Sequence, residues 1–291
     1  MLNQPLKPML LQPSQTIKPD WLASLKWDGF RAIIHYQDGK TRAFTREGNE
    51  ITASFFPELS QLKLNCRSAI LDGECICFDL LNQAPGQPPK AWWDDAMARF
   101  HTKKEAAVKK AAQTMRAHFP VWDILFLDGK PLLNKTFLER REHLKAVAGP
   151  ADIVSVTPLY DDGEQLFARA KELGLEGVVQ YRPDSFYSLD ARPRNVWEKV
   201  KAYQYATVQV SSMKRNEFGW GLSMGGKYVG VLEFPPPAAE RKAFFKIAKQ
   251  ITRGENKDWI FVDPVISCTV KFQCFTKDGK LRSPKFEAFC T

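Results

Sequence analysis

Five short stretches place lysines, arginines and glutamates inside otherwise apolar segments of this chain. A charged side chain in such a setting costs free energy unless it is paired or used in chemistry. An aromatic side chain in PVWDILFLDG, Trp122, completes the set. The five stretches are LKWDGFR (Lys26, Asp28, Arg31), FTREG (Arg46), ILDGE (Glu74), LEGVV (Glu176) and VWEKVK (Lys199, Lys201).

Lys26 is the candidate nucleophile of a nucleotide site. A lysine attacks the α-phosphorus of a nucleoside triphosphate only when its amine is unprotonated, and burial and nearby cations lower the pKa of an amine. Lys199 and Lys201 alternate along a predicted strand and share one face. We expect them, together with a divalent metal, to lower the pKa of Lys26, and we expect the two lysines to stabilise charge on the α-phosphate. Glu176 is a suitable Mg²⁺ ligand, and Trp122 is suited to stack on a purine.

The octapeptide SLKWDGFR also has a simpler interpretation. Asp28-Gly29 is a common turn dipeptide, so the stretch is equally typical of a solvated hairpin. Trp122 has the alternative of an ordinary core aromatic, and the two glutamates have that of ion-paired strand ends. The remainder of the chain decides between these interpretations.

Composition limits the class of protein. The 291 residues are 44% hydrophobic and 12% aromatic, as in a folded globular protein. No apolar stretch approaches the roughly 20 residues that span a bilayer, and prolines interrupt the amino-terminal apolar residues where a secretory signal would need continuity. The six cysteines form no C-x-x-C pair, which argues against a structural zinc site. We therefore expect a cytoplasmic protein with no membrane association.

Charge and pattern predict two domains. Residues 204–291 carry 14 Lys+Arg against 8 Asp+Glu, an excess typical of a surface that binds a polyanion. Residues 1–203 mix strand and helix patterns, with a proline-rich loop at 81–90, and predict an α+β domain. Residues 204–291 read as short strands with one helix and match a small OB-type β-barrel. The predicted boundary lies between residues 203 and 204.

The ordered series K-x-D-G-x-R, T-R-x-G, D-G-E, aromatic-D-x-L, E-G-V-V and W-x-K-x-K resembles the covalent nucleotidyltransferases: DNA ligases, RNA ligases and mRNA-capping enzymes. Within them, the chain is most similar to bacterial ATP-dependent DNA ligases of the end-joining type. The stretches that carry this likeness include PMLLQP, FLDGKPLLNKTFLERREHL, GLEGVVQYRPDSFY, KRNEFGW and LRSPKF. The resemblance implies an adenylation (nucleotidyltransferase) domain of mixed and antiparallel sheets, followed by an OB-fold domain.

The resemblance also implies roles for individual residues. Lys26 would carry AMP, and its catalysis would be assisted by two lysines that bind the α-phosphate. The ATP site would further include ribose contacts, an adenine-stacking indole and metal ligands, while one arginine would bind the 5′-phosphate of the nick or the adenylate. A further arginine, in the segment between Tyr187 and Trp197, would bind phosphate. Two arginines in that segment are candidates for this role. These residues are Lys199 and Lys201 (α-phosphate), Arg31 and Glu74 (ribose), Trp122 (adenine), Glu74 and Glu176 (metal), Arg46 (5′-phosphate or adenylate), and Arg192 or Arg194 (phosphate).

The implied enzyme uses ATP with Mg²⁺, or with Mn²⁺ in its place, and seals nicked double-stranded DNA in repair. We expect a monomer, associated with the nucleoid when bound to DNA and open to recruitment by a DNA-end-binding repair protein. Two other interpretations are an RNA ligase or capping-type enzyme, and a catalytically silent DNA-binding relative. The stretches KRNEFGW and LRSPKF argue against the first, and the intact series of lysines and glutamates argues against the second.

Two features depart from the family pattern. The residue two positions after E-G-V-V is commonly lysine in the family and is Tyr181 here. Many ATP-dependent ligases also end with a basic R-x-D-K element that orients pyrophosphate, whereas the sequence here ends LRSPKFEAFCT. Both departures concern the adenylation step.

Overall fold

A computed structural model describes residues 1–51, 55–79, 91–148 and 153–290. These residues form two units, Met1–Lys201 and Ala202–Thr291, which meet two residues before the predicted boundary. The predicted loop at 81–90 lies outside the described ranges. Within those ranges, every helix is too short or too polar to cross a lipid bilayer.

The first unit mixes strands and helices, as the sequence predicts. A short 3-10 helix (Pro57–Gln61) lies between its fourth and fifth strands. The other elements are, in chain order, β1 (Gln12–Ser14), β2 (Leu22–Leu25), β3 (Phe30–Gln37), β4 (Lys40–Thr45), β5 (Ser68–Asp79), α1 (Trp93–His101), α2 (Glu105–Thr114), β6 (Met115–Leu127), β7 (Lys130–Pro131), α3 (Phe137–Val147), β8 (Val154–Val156), α4 (Gly163–Glu172), β9 (Gly177–Tyr181) and β10 (Trp197–Lys201).

Two sheets make the scaffold of this unit. The larger has the order β4-β3-β5-β6-β7, with β8 added parallel to β6, and the smaller has the order β1-β10-β9-β2. Neighbouring residues of β3 face opposite sides of the larger sheet: Ile34 packs into one apolar cluster, and Ile33 packs into another with Val179 and Trp197 of the smaller sheet. The second cluster therefore joins the two sheets.

Local signals explain two of these connections. Asp38 and Gly39 both have positive φ, as a two-residue type I′ loop requires, and they join β3 to β4 in a hairpin. The Thr136 side chain accepts a hydrogen bond from the backbone of Glu139, whose carboxylate in turn accepts one from the Thr136 backbone. This capping box begins α3, as the sequence predicts.

The Asp28-Gly29 bend is not a hairpin turn, so that interpretation of the octapeptide is wrong. Strand β2 belongs to the smaller sheet and β3 to the larger one, and the bend carries the chain between them. Gly29 is needed for close approach, because a Cβ atom there would lie 2.0 Å from the carbonyl oxygen of Cys75. This crossing leaves Lys26 directly after a strand of the smaller sheet and places Arg31 in a strand of the larger one.

The second unit is built around one curled sheet and one helix. Tight packing of Trp220 on Phe244, with ring centroids 4.3 Å apart, fixes the helix on the sheet. Strand β11 pairs with β12 along one edge and with β15 and β16 along the other. The elements are β11 (Gln204–Lys214), β12 (Trp220–Met224), β13 (Lys227–Leu232), α5 (Ala238–Ala248), β14 (Thr252–Glu255), β15 (Trp259–Val262), β16 (Ser267–Phe272) and β17 (Lys285–Phe289).

Candidate active site

Lys26 lies immediately after β2, where its backbone N–H donates to the carbonyl of Gly177. This bond fixes the lysine against the start of β9. Its amine donates to Glu176, with 2.7 Å between Nζ and Oε2. Both side chains are largely withdrawn from solvent, with 17% of Lys26 and 6% of Glu176 exposed. The predicted nucleophile is therefore held in a nearly buried ion pair.

Glu176 binds a second lysine through its other oxygen. The Lys201 amine lies 3.3 Å from Oε1, so one carboxylate lies between two cations. The register of β9 with β10 explains this arrangement, because it pairs Lys201 with Gly177 and Lys199 with Val179. The fold thus brings Lys26, Glu176 and the Lys199–Lys201 pair together from three separate parts of the sequence.

The pKa of Lys26 is raised, so the predicted lowering is wrong for this arrangement. Burial lowers the pKa of the amine, but the carboxylates of Glu176, Glu74 and Asp28 together outweigh it, because they stabilise the ammonium form. The pKa of Lys199, by contrast, is lowered. Burial lowers its pKa, and the positive charges of Lys201 and Lys26 lower it further.

Glu74 is a carboxyl group of the site whose pKa is shifted strongly upward. Burial raises its pKa to about 7, and the negative charges of Glu176 and Asp28 act in the same direction, while Lys26 and Arg31 oppose them. The residue lies on β5 directly opposite Arg31 of β3. A carboxyl group that titrates near neutral pH therefore adjoins the candidate nucleophile.

Arg31 is held by Asp72, a residue that sequence reasoning missed. Its guanidinium donates to both carboxylate oxygens of Asp72, at 2.6 Å from Nε and 2.5 Å from Nη2. The hydroxyl of Tyr187 donates to the same carboxylate at 2.7 Å, and the Met9 carbonyl accepts from Arg31. Asp72 interrupts an apolar run and precedes Glu74 by two residues, so the residue type and spacing were a usable signal.

A cavity of about 410 Å³ lies beside this cluster, within the range usual for small-molecule sites. The predicted residues on its wall are Lys26, Arg31, Arg46, Glu74, Arg192 and Lys199. Of the two candidate arginines near Tyr187, the wall includes Arg192 and not Arg194. Helix α1 supplies an apolar part of the wall, with Trp93, Met97 and Phe100. The cavity therefore combines several cations with an apolar surface, which suits a nucleotide.

Trp122 lines a smaller cleft that also borders Lys26. Val179 and Tyr181 of β9 line the same cleft, together with Trp27. The Arg31 guanidinium lies 4.8 Å from the centre of the Trp122 ring. Arg46 is exposed and pairs with its neighbour Glu47, at 2.6 Å between Nη2 and Oε1.

The donor set fits a magnesium ion that is bound partly by substrate. Within the described ranges, no group of three histidine, cysteine, aspartate or glutamate side chains is arranged to hold a metal. Mg²⁺ does not need such a cage, since it commonly binds through one or two carboxylates together with water and phosphate oxygens. Glu74 and Glu176 interact electrostatically with each other and with Lys26, so they offer two carboxylates beside the candidate nucleophile.

Comparison with known proteins points to one family. A family model described as "ATP dependent DNA ligase domain" matches residues 1–201. The chain is 31% identical to the SPbeta prophage-derived DNA ligase-like protein LigB of Bacillus subtilis, with 98% of each chain covered. It is 28% identical to the multifunctional non-homologous end joining DNA repair protein LigD of Mycobacterium tuberculosis. That match covers 90% of this chain but 35% of the relative, so the chain spans about a third of that protein's length.

Solved structures agree with the fold. A Lig E DNA ligase, described as binding DNA with a minimal scaffold, superimposes with a TM-score of 0.64 at 20% identity and covers 97% of this chain and 98% of its own. The ligase domain of M. tuberculosis LigD gives a TM-score of 0.55 at 22% identity, covering 98% and 95%. These similarities confirm the predicted α+β fold class, with antiparallel sheets and few helices in a nucleotidyltransferase domain followed by an OB fold.

Proposed function

The chain belongs to the ATP-dependent DNA ligase family, and we propose that it seals nicks in duplex DNA through an AMP group carried on Lys26. The observation that supports this most directly is the Lys26–Glu176–Lys201 cluster, because its Lys26 lies on the wall of a cavity that also includes Arg46, Arg192 and Lys199. A lysine in that position adjoins both a nucleotide-sized space and the cations that phosphate groups require.

Three phosphoryl transfers make up the proposed reaction. First, the Lys26 amine loses its proton and attacks the α-phosphorus of ATP, and the bond to the β-phosphate breaks to release pyrophosphate. A 5′-phosphate oxygen of the nick then attacks the lysyl-AMP phosphorus, and the phosphorus–nitrogen bond breaks. Finally the 3′-hydroxyl attacks the 5′-phosphorus, AMP leaves and the strand is joined. Each step depends on in-line positioning and neutralisation of charge.

The raised pKa of Lys26 sets a condition on the first step. The amine must leave Glu176 and lose a proton before it can attack, because an ammonium has no lone pair. Phosphate oxygens that bind Lys199 and Lys201 would draw Lys201 from Glu176 and place the α-phosphorus within reach of Lys26. The pKa of Lys199 is lowered first by burial and then by the neighbouring cations, and a phosphate would relieve the repulsion between these cations.

The other predicted roles remain proposals on the same basis. Arg31 and Glu74 would contact the ribose, and Trp122 would stack on the adenine. Arg46 would bind the 5′-phosphate or the adenylate, with Arg192 as a further phosphate ligand because it lines the cavity. Glu74 and Glu176 would hold Mg²⁺, or Mn²⁺ in its place, which when bound neutralises phosphate charge.

The remaining expectations concern the setting of the enzyme. We propose that nicked double-stranded DNA is the substrate, that the protein acts as a monomer in the cytoplasm and joins the nucleoid when bound to DNA, and that a DNA-end-binding repair protein recruits it. The names of the mycobacterial relatives, which refer to non-homologous end joining, support the last point. The RNA ligase, capping-enzyme and silent-relative interpretations are less well supported, since the relatives are named as DNA ligases.

Covalent labelling tests the proposed function. The protein is incubated with α-labelled ATP and Mg²⁺, and the label is followed on a denaturing gel. We expect labelled wild type, no label on Lys26→Ala and full label on Lys40→Ala, an exposed lysine of the hairpin that serves as the control. Wild-type protein that takes no label, and that also fails to seal a pre-adenylated nick, would contradict the proposal. Comparison of nicked DNA with nicked RNA identifies the substrate.

A further inference from the structure

We propose that Tyr181, oriented by Ser24, reads the 6-amino group of the base and so selects ATP over nucleotides that have a carbonyl at that position. This inference rests on the proposed function, since it takes the cleft beside Lys26 as the base site. Tyr181, Val179 and Trp122 all line that cleft. The neutral tyrosine stands where the family commonly has a lysine, so the contact here differs in chemistry from the usual one.

The hydroxyl groups of Ser24 and Tyr181 form a hydrogen-bonded pair that is buried from solvent. Both residues are at most 1% exposed, and 3.0 Å separates Oγ of Ser24 from the phenolic oxygen of Tyr181. They lie diagonally across neighbouring strands, since Ser24 is opposite Val179 and Tyr181 lies two residues further along β9. Tyr181 is also clamped at its ring, which stacks on Phe137 at 4.7 Å. The position of the phenolic oxygen is therefore fixed.

The backbone determines the direction of the hydrogen bonds. Ser24 Oγ lies 3.3 Å from the carbonyl oxygen of Leu25, which can only accept. The Ser24 hydroxyl therefore donates to Leu25 and accepts from Tyr181. Tyr181 uses its single proton in that bond, and its oxygen keeps lone pairs. Burial raises the pKa of Tyr181, so the phenol stays protonated throughout the physiological range.

The phenolic oxygen of Tyr181, a residue that lines the cleft, thus keeps its acceptor capacity and has no free proton to donate. Among the described residues, Ser24 is the one hydrogen-bond partner recorded for the phenolic oxygen. Adenine carries an amino group at position 6 and can donate to this acceptor. Guanine and hypoxanthine carry a carbonyl there, and two acceptors that face each other leave both unsatisfied in a buried site. The polarity of one hydroxyl pair is enough to distinguish the two classes of purine.

Base analogues separate recognition from a general structural effect. Formation of labelled lysyl-nucleotide is measured in single-turnover assays with ATP, with inosine triphosphate and with purine riboside triphosphate, which lacks the 6-substituent. For wild type we expect ATP to be favoured about fivefold over the unsubstituted purine, as one hydrogen bond would give, and more strongly over inosine triphosphate. Wild type that uses inosine triphosphate as well as ATP would overturn the inference without any variant.

Two variants test the individual hydroxyls. We expect Tyr181→Phe to remove the advantage of ATP over the unsubstituted purine, with the rate for the latter falling much less. Ser24→Ala frees the Tyr181 proton to donate, so the use of inosine triphosphate relative to ATP should rise. Tyr36→Phe, a buried tyrosine of the hairpin, is the matched control and should leave both ratios unchanged.

The possible outcomes distinguish failure of this inference from failure of the proposed function. If Tyr181→Phe slows all three nucleotides by the same factor, the hydroxyl acts through structure alone and the inference fails while the proposed function stands. If wild type takes no label from any nucleotide, the proposed function fails and this inference fails with it.

Discussion

The two units of the chain differ in where they place charge. The first unit has exposed ion pairs, but it also has pairs in the interior or beside the cavity: Lys26–Glu176, Arg31–Asp72, Arg99–Glu58 and Arg140–Asp123. In the second unit, the recorded pairs lie at the surface: Lys214–Glu217, Arg215–Glu255, Arg253–Asp263 and Lys271–Glu287. A buried ion pair holds its charged groups in fixed positions, as a catalytic site requires. Exposed charges instead give a diffuse electrostatic field, which suits binding of a polyanion.

The largest expected effect comes from a buried pair away from the cavity. Arg140 and Asp123 are both 0% exposed, and the guanidinium donates to both carboxylate oxygens. Arg140→Met leaves the aspartate buried without its cation, which should lower the free energy of unfolding by about 3–5 kcal/mol. Urea unfolding followed by tryptophan fluorescence measures the change.

A matched variant controls for loss of an arginine as such. Arg182 pairs with Asp184 at the surface of the same unit, and 42% and 75% of the two side chains are exposed. Arg182→Ala should change the free energy of unfolding by less than about 1 kcal/mol. Equal effects of the two variants would show that burial does not distinguish the pairs.

The second-largest expected effect is the dependence of stability on pH that Glu74 causes. The folded-state pKa of Glu74 is about 7, above the ordinary value of 4.5, so the folded protein binds more protons than the unfolded chain between these values. Stability linked to this group is therefore lost as pH rises from about 4.5 to 7, by at most about 3 kcal/mol. Glu74→Gln removes the titration, so the variant should become relatively more stable than wild type across that window. A constant difference from pH 4.5 to 7 would contradict the raised pKa.

The smallest effect is expected in the second unit. Arg215 lies 2.8 Å from Glu255, and the two side chains are 39% and 56% exposed. Arg215→Ala should change the free energy of unfolding by about 0.5 kcal/mol or less. The same variant should weaken binding to nicked DNA mainly at low salt, since phosphate contacts release counterions. A fluorescence anisotropy titration at two salt concentrations checks this; a loss that is the same at both would mean that the field of this unit is not what binds DNA.

The sequence indicated which residues would come together but not how they would pair. The alternation of Lys199 and Lys201 and the apolar surroundings of Glu176 were enough to predict one cluster with Lys26. The sign of the pKa shift of Lys26 was not accessible, since it depends on a 2.7 Å contact with a residue 150 positions away. The motifs contain both cations and carboxylates. Only the distances between them and the Lys26 amine decide whether its pKa is lowered or raised.

The same reasoning explains what was missed. Asp72 is fully buried beneath Arg31, 41 residues away, and only the pairing of β3 with β5 brings them together. The Asp-Gly dipeptide at 28–29 is locally indistinguishable from a hairpin turn, and the crossing between sheets is set by tertiary pairing. By contrast, the Asp38-Gly39 hairpin and the capping box of α3 depend on neighbouring residues alone, and the sequence predicted both.

The ion pair of Lys26 with Glu176 also bears on the lifetime of the protein in the cell. Free lysine amines react slowly with isocyanate, reducing sugars and acyl phosphates, and each such reaction would permanently remove the nucleophile. An ammonium group, with no lone pair, is inert to these electrophiles. A resting protein that keeps this amine protonated against a carboxylate therefore preserves it from chemical ageing until a nucleotide arrives.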